Sequence, residues 1–481
     1  MIKGGINVMS KTITISPITR IEGHAKVTIH LDGEGNVARS YFHVTQYRGF
    51  EKFCEGRMFF EMPQITERIC GICPVSHHLA SAKAGDALIG VKPPKTALML
   101  RELMHMGQIV QSHSLHFFYL ASPDLLFGFD AAPEIRNIAR VYQEKPKMAL
   151  RGIKLRKYGQ QIIERLGEKR VHPNFAVPGG VNKPLSIDDK TAMLADIDEM
   201  MGYAQAGIEF IKNWLEENRD FAEEFASFGT GYMGLINDGD ALELYDGTVK
   251  LIGQDGDLLE RFDGSDYLDY LGEHVEDWSY LKYPFYKKMG WPDGVYRVGP
   301  LGRLNVSKKI DTALANEELK NFKALAKGPI EGSLYYHYAR LIEILYCLER
   351  IKQLLQDSEI MSKDIRAEPN DLTGIGIGTI EAPRGTLFHH YCCDETGKIT
   401  KVNLVIATGH NNWGMSKAVN DVAKKYVDGK NLKEGMLNRV EAAIRCYDPC
   451  LSCSTHAIGQ MPLVIKLIDK NGNVLNSIRR D

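Results

Sequence analysis

Apolar and polar positions alternate near the start of the chain. From Ala25–Leu31 and again over Val37–Val44 the hydrophobic residues recur at the two-residue period of a half-buried strand. Asp32-Gly33-Glu34-Gly35-Asn36 between them has turn composition, so a hairpin is predicted. The period then changes. Met99, Leu103, Met106 and Val110 recur at helical spacing, as do Leu334, Tyr338, Leu341, Leu345, Leu348 and Leu355. Ser186 with Asp189 three residues on marks a helix start before Met193, Leu194 and Ile197. Residues 220–310 are acidic, aromatic and glycine-rich with weak periodicity, which predicts loops and short elements on a helical body. A second β region follows over 375–380, 387–392 and 398–407, with Asp394-Glu395-Thr396-Gly397 as a turn. Helices are predicted over 414–426 and 433–444. At the end, apolar runs over 463–469 and 474–478 flank Lys470-Asn471-Gly472-Asn473, a strong hairpin signal. The expected fold class is α+β, helix-dominated with β margins, in one large domain without repeats or linkers.

Composition narrows the function by exclusion. The 59 basic and 61 acidic residues nearly cancel, which leaves no electrostatic footprint for nucleic acid or an anionic membrane. No apolar run reaches the length of a membrane span, and the start lacks the apolar stretch of a secretory signal. Nine cysteines, four of them in close pairs, point to metal-bound or free thiols in a reducing, cytoplasmic setting. Cys54, Cys347, Cys392, Cys393 and Cys446 read as buried small hydrophobes.

The chemistry lies in two Cys-x-x-Cys turns, Cys70/Cys73 and Cys450/Cys453, at opposite ends of the chain. Each turn can offer two sulfurs to one metal. A structural zinc site and a redox dithiol are the competing readings, although zinc modules place their pairs only tens of residues apart.

The flanks of these turns carry a resemblance. Arg68-Ile69-Cys70-Gly71-Ile72-Cys73-Pro74-Val75-Ser76-His77 and Asp448-Pro449-Cys450-Leu451-Ser452-Cys453-Ser454-Thr455-His456 resemble the two signatures of the large subunit of nickel-iron hydrogenases. Arg20-Ile21-Glu22-Gly23-His24, Arg48-Gly49-Phe50-Glu51, Pro178-Gly179-Gly180 and Glu381-Ala382-Pro383-Arg384-Gly385 agree, in order, along the whole chain. The resemblance implies heterolysis of hydrogen at a bimetallic centre. Cys70 and Cys450 would be terminal nickel ligands. Cys73 and Cys453 would bridge nickel to an iron carrying two cyanides and one carbon monoxide. Cys450 would also serve as a base, Glu22 would be the first proton-relay carboxylate, and Arg384 would hang over the metals with Pro383 beside the diatomic ligands. Asp448 would pair with Arg384, and His77 would donate toward the cluster. Glu51, His456 and the backbone carbonyl of Leu404 would hold magnesium. Many members carry aspartate where this chain has Ser112, so fewer carboxylates are expected around Arg384.

Ser122-Pro123-Asp124-Leu125-Leu126 and the short ending are similar to the cytoplasmic, cofactor-coupled branch, and most of all to NAD-reducing bidirectional enzymes. No Gly-x-Gly-x-x-Gly follows a strand and the spare cysteines form no iron-sulfur run, so electrons must leave through partners. The resemblance implies a small subunit with an iron-sulfur cluster and diaphorase subunits carrying FMN and NAD. NADP, coenzyme F420 and a heterodisulfide-linked chain are the acceptors of other relatives. It also implies nickel-insertion chaperones and a maturation protease that cuts between His456 and Ala457. Residues 1–456 are then the hydrogenase domain and 457–481 a removable extension. A scaffold subunit of a related respiratory complex is the alternative, but that role goes with loss of the nickel ligands, and all four cysteines are present.

Overall fold

The computed structural model describes residues 11–455, 463–469 and 474–480. The chain opens with a three-stranded antiparallel sheet in the order Thr12–Ile15, Ala25–Leu31, Val37–Val44. The alternation of Ala25–Leu31 is realised directly, with its odd-numbered side chains buried and the others half-buried. Asp32 closes the predicted turn by accepting the backbone N–H groups of Glu34 and Asn36.

The helical body is built on long helices. Lys95–Leu115 packs against Pro146–Gly167 and Tyr335–Gln356, and Tyr335–Gln356 packs on Ile197–Glu217. Ser186 caps Ile187–Ala195, accepting the Asp189 N–H as its spacing predicts. Tyr335–Gln356 is buried along its first fourteen residues, including His337, Arg340 and Glu343, which places it at the centre of the core. Among the described residues no helix is long and apolar enough to cross a membrane.

The second β region is a three-stranded antiparallel sheet, Ile375–Ala382, Gly385–Cys393 and Ile399–Val405. The helix Pro74–Leu88 lies flat on it. The contact is close because Gly378 has no side chain; a Cβ there would sit 2.0 Å from the Ala80 carbonyl oxygen. The third strand ends at Val405, short of the predicted 407, and Ala407–His410 turns into a helix.

Residues 220–310 depart from expectation. They hold a four-stranded sheet in the order Tyr296–Arg297, Gly231–Ile236, Thr248–Ile252, Leu258–Phe262, plus the hairpin Leu271–Val275 with Lys282–Tyr286. Gly231–Ile236 and Thr248–Ile252 are buried on both faces, so they lack the alternation that marks a half-exposed strand. The buried helix Gly299–Val306 follows. Its Arg303 forms a fully buried ion network. Nε and Nη2 each lie 2.6 Å from an oxygen of Glu343, and Nη1 lies 2.7 Å from Glu381.

Cys54, Cys347 and Cys446 are buried as expected, whereas Cys392 and Cys393 are half-exposed, because the strand carrying them bulges at its end. Among the described residues the strands Leu463–Ile468 and Val474–Arg480 pair only with each other, with Leu467, Val474, Leu475 and Ile478 exposed.

Candidate metal centre

Each cysteine turn is shaped by its own backbone. Cys73 caps the helix Pro74–Leu88, and Pro74 sets the first helical φ without needing a hydrogen-bond partner. The backbone N–H groups of Ile72 and Cys73 point at the Cys70 sulfur, at 3.2 and 3.4 Å. Cys450 precedes the short helix Leu451–Ser454; its N–H bonds Thr408 Oγ1 at 3.0 Å, and its carbonyl accepts Ser454 Oγ at 3.0 Å.

Folding brings the two turns together although nearly the whole chain lies between them. The four sulfurs lie within 4.8 Å of one another, all buried. Cys70 and Cys450 are 3.3 Å apart, Cys73 and Cys453 3.5 Å, and Cys450 and Cys453 2.7 Å. Hydrogen bonds from Cys450, Cys453 and Cys70 hold the Cys73 thiol well below its ordinary range, while burial pushes Cys450 and Cys453 well above theirs. Without a cation, four thiolates this close cannot coexist in a dry interior. The donor set therefore fits soft transition-metal ions, whose positive charge offsets the thiolates.

Arg384 reaches this box from the turn between Ile375–Ala382 and Gly385–Cys393. Its Nε donates to the Asp448 carbonyl at 2.6 Å, Nη2 to Asp448 Oδ1 at 3.0 Å, and Nη1 lies 3.5 Å from Ser112 Oγ. Burial opposes the Arg384 charge, but Asp448 and the cysteine sulfurs outweigh it and hold the guanidinium protonated. Asp448 stands at φ 53°, a left-handed conformation that its Cβ disfavours. That strain sits at the site itself, where the surrounding contacts enforce it. Pro383 lies in the same turn, and its carbonyl accepts Arg303 Nη2 at 3.2 Å. His77 adds slightly to the lowering of the Cys73 thiol, and its Nδ1 lies 3.1 Å from His389 Nε2.

Glu22 lies against the second cysteine turn. Its Oε2 accepts the Ser452 N–H at 3.0 Å and its carbonyl the Leu451 N–H at 3.1 Å. The neighbouring Arg20 does not pair with it; Arg20 turns to Asp124 Oδ1 at 2.6 Å. Gly23 makes this approach possible, since a Cβ there would lie 2.7 Å from Leu451 Cβ and the φ of +87° favours glycine. Glu51 is brought to Leu404, whose N–H donates to Glu51 Oε1 at 2.8 Å, so it is the amide and not the carbonyl of Leu404 that meets this carboxylate. Burial lifts the Glu51 carboxyl above its ordinary range, a penalty that a bound cation would relieve. His456 and Ala457 lie outside the described residues, but the Thr455 carbonyl accepts the N–H groups of Arg48 and Gly49, next to the Glu51 helix.

Comparison with known proteins decides the identity of this box. A family model described as nickel-dependent hydrogenase matches residues 48–133 and 236–456, and one described as HoxL-like matches 12–47. The chain belongs to the nickel-dependent hydrogenase family. It is 43% identical over 488 residues to the NAD-reducing hydrogenase HoxS subunit beta of Cupriavidus necator, covering 98% of this chain and 100% of that one. It is 46% identical to a chain of the F420-non-reducing hydrogenase vhu of Methanococcus voltae, over 86% of this chain and 98% of the relative. A crystal structure of an NAD+-reducing nickel-iron hydrogenase in the H2-reduced state superposes with a TM-score of 0.91 at 44% identity, covering 93% of this chain and 99% of that one. The chain is thus a nickel-iron hydrogenase large subunit with its four-cysteine metal site assembled.

Three parts of the hydrogenase site escaped sequence reasoning. Arg48 Nη1 bonds the Ile69 carbonyl at 2.5 Å and the Ser452 carbonyl at 3.4 Å, so one guanidinium clasps both cysteine turns. Thr408 holds Cys450 from the new helix after the third strand. Arg303 braces the strand end that carries Arg384 by donating to the Ala382 and Pro383 carbonyls. Arg48 was visible only as a landmark residue. Nothing in the local sequence of the other two signals their role.

Proposed function

We propose that this hydrogenase large chain cleaves hydrogen reversibly in the cytoplasm. Its electrons pass through a partner small subunit with an iron-sulfur cluster, then through FMN-bearing diaphorase subunits, to NAD. The relative from Cupriavidus necator, similar over the full chain and named for NAD reduction, carries this reading. Cys70, Cys73, Cys450 and Cys453 would hold nickel, and Cys73 and Cys453 would also hold an iron carrying two cyanides and one carbon monoxide. When bound, the metal pair supplies the polarisation that makes hydrogen acidic. The protein's part is to receive and move the proton. Cys450 Sγ takes it first. Glu22, fixed by Ser452 and Leu451 on the same turn, takes it onward. Arg384 keeps a fixed positive charge over the sulfurs and is itself held by Asp448. Glu51, Leu404 and His456 hold magnesium, for which a carboxylate oxygen is suited.

Purifying the complex and supplying hydrogen with each acceptor in turn tests the coupling. NADH formation is the expected result; reduction of NADP, F420 or a heterodisulfide without NAD would replace this reading. The similarity to chains named F420-non-reducing hydrogenase speaks against F420 and leaves NADP and a heterodisulfide-linked chain as the alternative acceptors. Glu22→Gln should keep both metals yet slow hydrogen isotope exchange by about 10²-fold or more, the usual weight of a general acid–base group. Exchange at the wild-type rate would remove Glu22 from the relay.

We further propose that nickel insertion is followed by proteolysis after His456, which releases 457–481. A two-stranded hairpin with exposed apolar side chains is marginal by itself and suits a segment meant to be removed. The intact mass of active enzyme should correspond to 1–456; full-length protein carrying both metals would refute the cut.

A further inference from the structure

The helix Pro146–Gly167 borders a cavity that the hydrogen chemistry above does not use. The helix packs on the segment His116–Ala121 and on Ile197–Glu217. Gly152 sets the first contact, since a Cβ there would lie 2.4 Å from Phe118 Cβ. His116–Ala121 is a π-helical turn, whose extra residue swells the helix, and such turns gather at functional positions. On the N-terminal side of Gly152 the three elements enclose about 450 Å³. Phe118, Leu126, Met148, Ala206, Gly207 and Phe210 form an apolar wall. Leu126, Met148, Ala206 and Phe210 are only half-buried, so burying them further under an apolar ligand is favourable. The size and lining are those of a small-molecule site.

The charged residues that line the same cavity are of nearly one sign. Lys145, Lys147 and Arg151 are cations, and the one acid, Glu144, is already paired with Arg140. Among the described residues none of the three cations is paired with a carboxylate. Lys154, further along the helix, shows the contrast, because it is paired with Glu199. Lys147 and Arg151 stand four residues apart, so two like charges lie side by side on one helix face. That arrangement is unfavourable, and an anion between the two would relieve it. Arg151 is half-buried, so part of its charge is screened from water by the cavity itself.

We propose that this cavity binds a monomeric anionic amphiphile, an unbranched medium-chain carboxylate. Its chain lies against Phe118, Met148 and Phe210, and its carboxylate sits between Lys147 and Arg151. Each part of the ligand follows from the wall it meets. The six apolar residues offer no side-chain donor, so the tail is a hydrocarbon. The unpaired cations require an anionic head, and a guanidinium suits a carboxylate in particular. The concave shape encloses a single chain, which a flat lipid surface does not provide.

Calorimetric titration of the metal-loaded wild-type enzyme with octanoate, nonanoate and decanoate tests the site without any variant. Saturable binding is expected, tighter by about fourfold for each added methylene. No saturable binding, or an affinity indifferent to chain length, would overturn the proposal. Decylammonium should bind about tenfold more weakly than decanoate or worse, and equal binding of the two would also overturn it. Arg151→Gln should weaken decanoate by about tenfold or more, and Ala206→Phe, which fills the cavity, should abolish its binding. Wild-type affinity in both variants would place the amphiphile elsewhere and refute the site. Sedimentation of the wild-type enzyme with phosphatidylglycerol vesicles, without binding of free decanoate, would put a membrane surface in its place.

Discussion

A Cys450→Ser enzyme should fold, lose its nickel and turn over no hydrogen. Cys450 sits at the corner of the box where two sulfur contacts meet, 3.3 Å from Cys70 and 2.7 Å from Cys453. Serine offers a small, hard oxygen that stays protonated near neutral pH, so it supplies neither the charge nor the softness that nickel needs. Changes in groups that merely support metal ligands already weaken binding by about 10–100-fold, and removal of a ligand should exceed that. The backbone contacts of the turn, Cys450 N–H to Thr408 and Leu451 N–H to Glu22, do not involve the sulfur, so the fold should survive. Metal analysis with a thermal melt checks both halves. A serine enzyme with wild-type nickel and turnover would sink the ligand assignment.

Arg303→Met should cause the largest loss of stability, about 3–5 kcal/mol, the usual effect of removing one partner from a buried ion pair. Two carboxylates would be stranded, since Glu343 and Glu381 share this guanidinium in a fully buried setting. The wild-type pair is not symmetric. Glu343 is desolvated, but two bonds to Arg303 and one to His113 prevail and bring it down to about 2. Glu381 has a single bond to Arg303, and burial leaves it above its ordinary range. The pH dependence follows from these directions. The Glu343 contribution is complete above its unfolded value of about 4.3 and is lost as the pH falls toward 2. In the methionine variant, burial outweighs the bonds that remain, from His113 to Glu343 and from Thr386 and the Leu235 N–H to Glu381, and both carboxyls rise. Their folded forms then favour the proton, so stability should fall as the pH climbs through about 4.3. Denaturant unfolding should show the wild type gaining stability from about pH 2 to 4.3, a gain the variant lacks, and the variant falling more steeply above 4.3, where only Glu381 acts in the wild type. Parallel slopes would mean that Arg303 does not control these groups.

The cysteine turns, the paired strands around Asp32 and the long helices were legible because each is written locally. A turn needs only its own few residues, and a helix face repeats within its own length. Leu334 to Leu355 shows the helical period even though the helix is buried, because its length supplies enough repeats. The sheet within 220–310 was not legible. Gly231–Ile236 and Thr248–Ile252 are short and covered on both faces, and the other neighbour of Gly231–Ile236 is the two-residue strand Tyr296–Arg297, which pairs with it in parallel from far along the chain. Arg303 looks like an ordinary polar residue in an eight-residue helix, too short for a period to show which side faces inward. Arg384 and Asp448 were assigned through motif resemblance, and their contact needed the fold to bring together residues 64 positions apart.

The clasp of Arg48 across both turns has a consequence for exchange with the surroundings. The second turn is pinned by Glu22, Thr408 and the Arg48–Gly49 amides, and the sulfurs behind it are sealed from water. An ion in the box cannot be reached by a competing ligand until that segment swings out. Its departure is therefore timed by the rate of opening. With increasing chelator the rate should level off at a ceiling that belongs to the protein. An ion held in this way is retained by a closed gate as much as by affinity, and it can stay in place in surroundings where free ligands would bind it more tightly.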